Sequence, residues 1–126
     1  LKERNDVTLV CTGFETGQAL QAAEELEKEK IHTRVIHIHT IKPIDQEILV
    51  KAAKETGLII TCEEHSIYGG LGSAVSEVVS EQYPCKVVKV GIQDTFGESG
   101  KPMELIEKYG LSAQHIVTVV KEQLSK

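Results

Sequence analysis

Short apolar runs and amphipathic stretches take turns along this chain. Val7-Thr8-Leu9-Val10-Cys11 reads as a strand, and Thr16 to Lys30 as a helix with Leu20, Ala23 and Leu26 on one face. Thr33 to Ile41 is a second strand. Ile44 to Thr56 is a helix carrying Ile48, Leu49, Ala52 and Ala53, with Asp45 suited to its N-cap and Gly57 to its end. Leu58 to Cys62 is the third strand. Gly70 to Gln82 is the most regular helix, because Leu71, Ala74, Val75, Val78 and Val79 fall at i, i+3, i+4, i+7 and i+8. Cys85 to Ile92 is the fourth strand, and Gln93 to Lys101 a polar loop. Pro102 to Tyr109 reads as a short helix stopped by Gly110. Ser112 then caps a last helix with Ile116, Val119, Val120 and Leu124 inward.

Strands that alternate with helices imply βαβ units and a parallel sheet with right-handed crossovers. Near-continuous apolar strands such as Leu58-Ile59-Ile60 suit a sheet covered by helices on both faces. The expected class is therefore α/β, and the pattern by itself leaves the strand order open.

The chain has 126 residues, which suits one domain and buries roughly two-thirds of the unfolded surface. Its net charge is -5 and its lysines are scattered, which argues against nucleic acid or a membrane surface as partner. The cysteines Cys11, Cys62 and Cys85 form no C-x-x-C pair and are odd in number. They read as reduced thiols in or beside apolar strands, small buried hydrophobes in a cytoplasmic protein. No run is long enough to span a bilayer and no signal peptide precedes the first strand. The chain begins at Leu1, as a piece of a longer protein would.

The chemistry candidates gather at strand-to-helix junctions. Cys11-Thr12-Gly13-Phe14-Glu15-Thr16-Gly17 carries G-x-x-x-G, which is neither a dinucleotide fingerprint nor a Walker A loop. Helix N-termini attract anions, but Glu15 can occupy that field at the first helix, as Glu63 or Glu64 can near the third. Plain turn chemistry is favoured. Glu64, His65 and Ser66 are sequence neighbours that cannot all point at one another, so they make no triad, and no G-x-S-x-G elbow is present. Loop hydrogen bonding and an interface are the expected roles, with Gly69, Gly70 and Gly72 allowing a tight turn and close helix packing. His37 and His39 share a strand face; H-x-H can hold a metal, but no third ligand is near in sequence and a half-covered face is favoured. The run from Glu24 to Lys30 reads as a solvated helix face. Asp94, Glu98, Ser99 and Lys101 lie in the loop on the carboxyl side of the sheet, where a partner or ligand could be touched.

Three segments, in order, carry a resemblance. Thr40-Ile41-Lys42-Pro43-Ile44-Asp45 resembles the TIKPLD segment of transketolases. The stretch Glu63-Glu64-His65-Ser66-Ile67-Tyr68-Gly69-Gly70-Leu71-Gly72-Ser73-Ala74-Val75 is similar to their E-[DE]-H-x-x-x-G-G-[LI]-G-x-A-V segment. Ser99-Gly100-Lys101-Pro102-Met103-Glu104-Leu105, followed by Tyr109-Gly110-Leu111, resembles their SGKPxEL…[FY]G[IL] ending. The chain thus resembles the C-terminal domain of transketolases over residues 1–126. It resembles more distantly the matching domains of 1-deoxyxylulose-5-phosphate synthase and of 2-oxoacid dehydrogenase β subunits.

The resemblance implies a three-layer α/β/α fold with a mainly parallel sheet. The family's five strands are ordered 1-3-2-4-5 with the first antiparallel. The four strands here would be its second to fifth, so this chain is expected to lack the first, and Thr33–Ile41 is expected at an edge. The loops around Thr12-Gly13 and Glu64-His65 would then flank one switch-point crevice. Thr12, Gly13, Glu64, His65, Ser66, Gly69 and Gly70 are the expected crevice or interface residues. The family transfers two-carbon ketol units between sugar phosphates of the pentose phosphate pathway. It does so with thiamine diphosphate and a divalent metal held between two other domains. No catalytic, cofactor-binding or metal-binding residue is therefore expected on this chain. The implied partners are the other transketolase domains, in the same or a separate chain, within a homodimer. A small-anion-binding regulatory module and the matching domain of a 2-oxoacid dehydrogenase β subunit are the rival readings.

Overall fold

The structure is a computed structural model. It describes the backbone of residues 6–12, 15–39, 44–64, 70–92 and 102–125 and, among these, the side chains of all but 15, 64, 92 and 102–112. The elements run β1 (Val7–Cys11), α1 (Glu15–Lys28), β2 (Thr33–His37), α2 (Gln46–Thr56), β3 (Leu58–Glu64), α3 (Gly70–Gln82), β4 (Lys86–Ile92) and α4 (Pro102–Leu124). The strands form one sheet in the order β2-β1-β3-β4, with every pairing parallel. β2 lies at an edge, as expected for the Thr33 strand.

Alternation along the strands builds two cores. Val7, Leu9, Cys11, Leu58, Ile60, Cys62 and Val90 face Ala19, Ala22 and Leu26 of α1 and Ala113, Ile116, Val117 and Val120 of α4. Val10, Ile36, Ile38 and Ile59 face Leu49, Ala52 and Ala53 of α2 and Leu71, Val75, Val78 and Val79 of α3. The result is the three-layer α/β/α arrangement. β1 is buried at every residue, which explains why its sequence is almost continuously apolar instead of alternating. Thr8 is the polar residue in that run, and its Oγ1 lies 3.0 Å from Thr56 Oγ1 at the end of α2.

The ends of α2 are as the sequence predicts. The Asp45 carboxylate accepts the Ile48 N–H at 3.3 Å, and Gly57 closes the helix in the left-handed region at φ 72°. α1 ends differently from expectation, at Lys28. Ile31 N–H donates to Leu26 O and Lys30 N–H to Glu27 O, with Lys30 left-handed at φ 63°. These two bonds make a Schellman closure, and Ile31 packs against the core that holds Leu26.

Three helix faces need correction. Leu20 is 54 % exposed, because Ala19, Ala22, Ala23 and Leu26 have the i, i+3, i+4, i+7 spacing and Leu20 lies beside that stripe. Ile48 and Leu124 are also exposed, whereas Leu49 and Val120 are buried. The chain after Lys101 forms one helix, Pro102–Leu124, instead of two. Gly110 and Ser112 neither stop nor cap it. A glycine inside a helix costs about 1 kcal/mol, and burial of Ala113, Ile116, Val117 and Val120 against α1 outweighs that. The strand expected over Thr33–Ile41 ends at His37, and residues 40 and 41 lie outside the described residues. β3 runs on through Glu63 and Glu64, two residues past the expected end.

Candidate functional site

That extension of β3 places an acidic side chain in the interior. Side chains alternate along a strand, so Ile59, Thr61 and Glu63 share the face toward α3, opposite Ile60 and Cys62. Glu63 is 1 % exposed. Its Oε1 accepts the Leu71 N–H and its Oε2 the Gly72 N–H, both at 3.0 Å. These are donors of the first turn of α3, which have no partner within the helix. α3 has no acidic residue in its own first turn, so the complementary charge comes from the strand.

The glycines around this contact have different tasks. A Cβ at Gly70 would reach only to 4.0 Å from Glu63 Oε1, so that position has room. A Cβ at Gly72 would lie 2.6–2.9 Å from Cγ, Cδ and Cε of Lys89. Gly72 is what lets the Lys89 stem cross the start of α3. Lys89 is the register partner of Thr61 on β4, so the same stem ties the helix start to the sheet edge.

The residues expected to line a crevice are described in part. β1 and β3 are neighbours, while the connections leaving them run to opposite faces of the sheet, which is the switch-point geometry. Thr12 follows β1, half-buried, and Gly70 opens α3 on the far side of β3. Glu64 is in the strand, in register with Ile92, and only its backbone is described. Gly13, His65, Ser66 and Gly69 lie outside the described residues, so their expected roles have no structural counterpart here. The loop residues Asp94, Glu98, Ser99 and Lys101 lie outside them too.

At this end an incoming anion meets a carboxylate already seated on the α3 amides. A groove of about 380 Å³ adjoins the same helix start, lined by Ile44, Gln46, Gly70, Ser73, Glu77 and Glu81 among others. Its two glutamates also disfavour phosphate. Sequence reasoning named Glu63 as a possible occupant of the helix field but not as a site residue. Parity would have found it, since it lies two residues beyond Thr61 and four beyond Ile59 on one face.

The other candidates sort as follows. Cys11 is buried, its thiol 3.5 Å from Ile36 O and 3.6 Å from Thr16 Oγ1, and Cys62 is equally buried. Both are core thiols, as read from the sequence. Cys85 is half-buried, and desolvation raises its pKa, so its thiolate is disfavoured. The acids and lysines from Glu24 to Lys30 are exposed around buried Leu26, as a solvated helix face requires. His37 and His39 are exposed with ring centroids 4.3 Å apart. Among the described residues no group of three or more His, Cys, Asp or Glu is placed to hold a metal. No helix among them is long and apolar enough to cross a membrane.

Comparison with known proteins gives this geometry a lineage. The family model for the transketolase C-terminal domain matches residues 1–116. The 6-deoxy-6-sulfo-D-fructose transketolase subunit SqwH of Clostridium sp. (strain MSTE9) is 43% identical over 122 residues, covering 97% of this chain and 38% of that protein. The 1-deoxy-D-xylulose-5-phosphate synthase of Heliobacterium modesticaldum is 41% identical over 123 residues, covering 97% of this chain and 19% of that enzyme. A solved split gene transketolase, an inactive beta4 tetramer, superposes with a TM-score of 0.78 at 52% identity, covering 98% of this chain and 40% of that one. The chain therefore spans about two-fifths or less of the relatives it matches. With the family model laid over most of its length and the same fold recovered in a half-identical neighbour, the chain belongs to the transketolase C-terminal domain family.

Proposed function

We propose that residues 1–126 are one C-terminal domain of a transketolase, a module that supports assembly and performs no chemistry alone. The observation that carries this reading is Glu63, because the helix start nearest the crevice is already occupied by the chain's own carboxylate. The short span relative to its matches supports a part working within a larger enzyme. The inactive tetramer formed by the split gene transketolase supports association without catalysis. In the parent enzyme, thiamine diphosphate and a divalent metal would sit between the other domains and supply the carbanion chemistry. This domain would hold neither. The reaction would be two-carbon ketol transfer between sugar phosphates, in the pentose phosphate pathway of the cytoplasm, by a dimer. Thr12, Gly13, Glu64, His65, Ser66, Gly69 and Gly70 would form the rim that meets the catalytic domains.

The test is reconstitution. The 126-residue chain alone, given xylulose 5-phosphate and an aldose phosphate acceptor, should transfer nothing. Addition of a section carrying the thiamine- and pyrimidine-binding domains should restore transfer. Detectable transfer by the chain alone would overturn the proposal. A thermal-shift titration with nucleotides and sugar phosphates at millimolar concentration should show no change, and a clear stabilisation would favour the anion-binding module instead.

A further inference from the structure

Two imidazoles lie side by side at and just past the end of β2. His37 and His39 flank Ile38, which is buried in the α2/α3 core, so both project from the opposite face and are exposed. Their ring centroids lie 4.3 Å apart with the planes tilted by 44°. The backbone beneath them is held, since Ile38 N–H donates to Cys11 O at 2.9 Å and His37 is in register with Cys11. The backbone that carries the two rings is thus held before any ligand arrives.

We propose that His37 and His39 form a two-imidazole site for a borderline divalent transition cation of the copper, nickel or zinc class. The spacing fits. A metal–nitrogen bond of about 2.0 Å places each ring centroid roughly 3.2 Å from the metal. Two centroids 4.3 Å apart then subtend about 85° there, near the cis angle of square-planar or octahedral coordination. Rotation about χ2, which is broad for histidine, turns one nitrogen of each ring to the shared point. No third His, Cys, Asp or Glu joins them among the described residues, so water completes the shell. A nitrogen-only protein set selects against magnesium and calcium, which take oxygen ligands. It follows the order in which copper binds more tightly than nickel or zinc. This site is separate from any metal held with thiamine diphosphate in the parent enzyme.

The experiment is calorimetric titration of the intact chain with Cu²⁺, Ni²⁺, Zn²⁺ and Mg²⁺. His37→Asn and His39→Asn are compared with His32→Asn and Cys85→Ser, and circular dichroism checks that each variant keeps its fold. One Ni²⁺ should bind per chain, Cu²⁺ should bind more tightly, and Mg²⁺ should give no heat. Loss of either ring should weaken Ni²⁺ by about tenfold or more, while His32→Asn and Cys85→Ser leave it unchanged. Substoichiometric Cu²⁺ should also broaden the ring proton resonances of His37 and His39 before those of His32 and His115. Unchanged Ni²⁺ affinity in both ring variants, an equal loss in His32→Asn or Cys85→Ser, or equal competition by Mg²⁺ would each overturn the proposal.

Discussion

Glutamine at position 63 would keep the shape of the side chain and remove half of what it does. The carboxylate accepts Leu71 N–H on one oxygen and Gly72 N–H on the other, each at 3.0 Å, with the residue 1 % exposed. An amide has one oxygen, so its NH2 must face the second backbone N–H, donor against donor. A buried donor left without a partner costs about 1–3 kcal/mol. Removing negative charge from a helix start costs about 0.3–1 kcal/mol more. Glu63→Gln should therefore destabilise the domain by roughly 1–4 kcal/mol, a large share of the about 5–15 kcal/mol typical of native domains. Urea unfolding at neutral pH would read this as an earlier midpoint at unchanged slope, shifted by about 0.5–2 M. Amide exchange at Leu71 and Gly72 should quicken more than at Val75 or Val78. A midpoint equal to that of the unaltered chain, with Leu71 and Gly72 still protected, would refute the assignment of Glu63 as the clamp on α3.

Two further substitutions test the packing around the same frame. Lys30→Gly places the residue made for a left-handed φ of 63° at the α1 closure and should stabilise by about 1 kcal/mol, raising Tm by roughly 3–5 °C; a lower Tm would show that the Lys30 side chain matters more than its backbone. Gly72→Ala gains up to about 1 kcal/mol of helix propensity but forces the exposed Lys89 stem to swing aside, so it should be close to neutral. In a Lys89→Ala background the same change should stabilise, and additive effects in that double-mutant cycle would refute the contact.

The sequence was most legible where a local rule decides the outcome. Asp45 and Gly57 bracket α2 because a short acid and a residue free to be left-handed each suit one end of a helix. Gly70–Gln82 was found to the residue because five apolar positions fit one period. Legibility failed where two elements must agree. Leu20 lost the core to Ala19 because small residues let α1 lie close, with α4 packed alongside. Gly110 failed to stop α4 because apolar residues further on hold the helix against α1. Glu63 and Glu64 looked like loop because acids are rare in strands. The donors that make Glu63 acceptable in the interior lie on the next element and do not form until α3 docks. The strand order, which sets the switch point between β1 and β3, also could not be read from the alternation of elements; it came into view only through the family resemblance.

The parallel sheet has a consequence for how the chain comes into being. Among the described residues no strand pairs with the next through a hairpin. Thr8 pairs with Arg34 on one side and with Ile59 on the other, so β1 is made before both of the strands that flank it. On the ribosome it must wait, apolar at all positions but Thr8, until β3 has emerged. During that interval α1, β2 and α2 are the described elements that can cover it. A slow codon tract or a chaperone binding after β2 would therefore affect the yield of this domain more than one acting after β4. The vulnerable species is a nascent chain with one side of β1 bare, and its exposure is set by translation time and not by the stability of the finished fold.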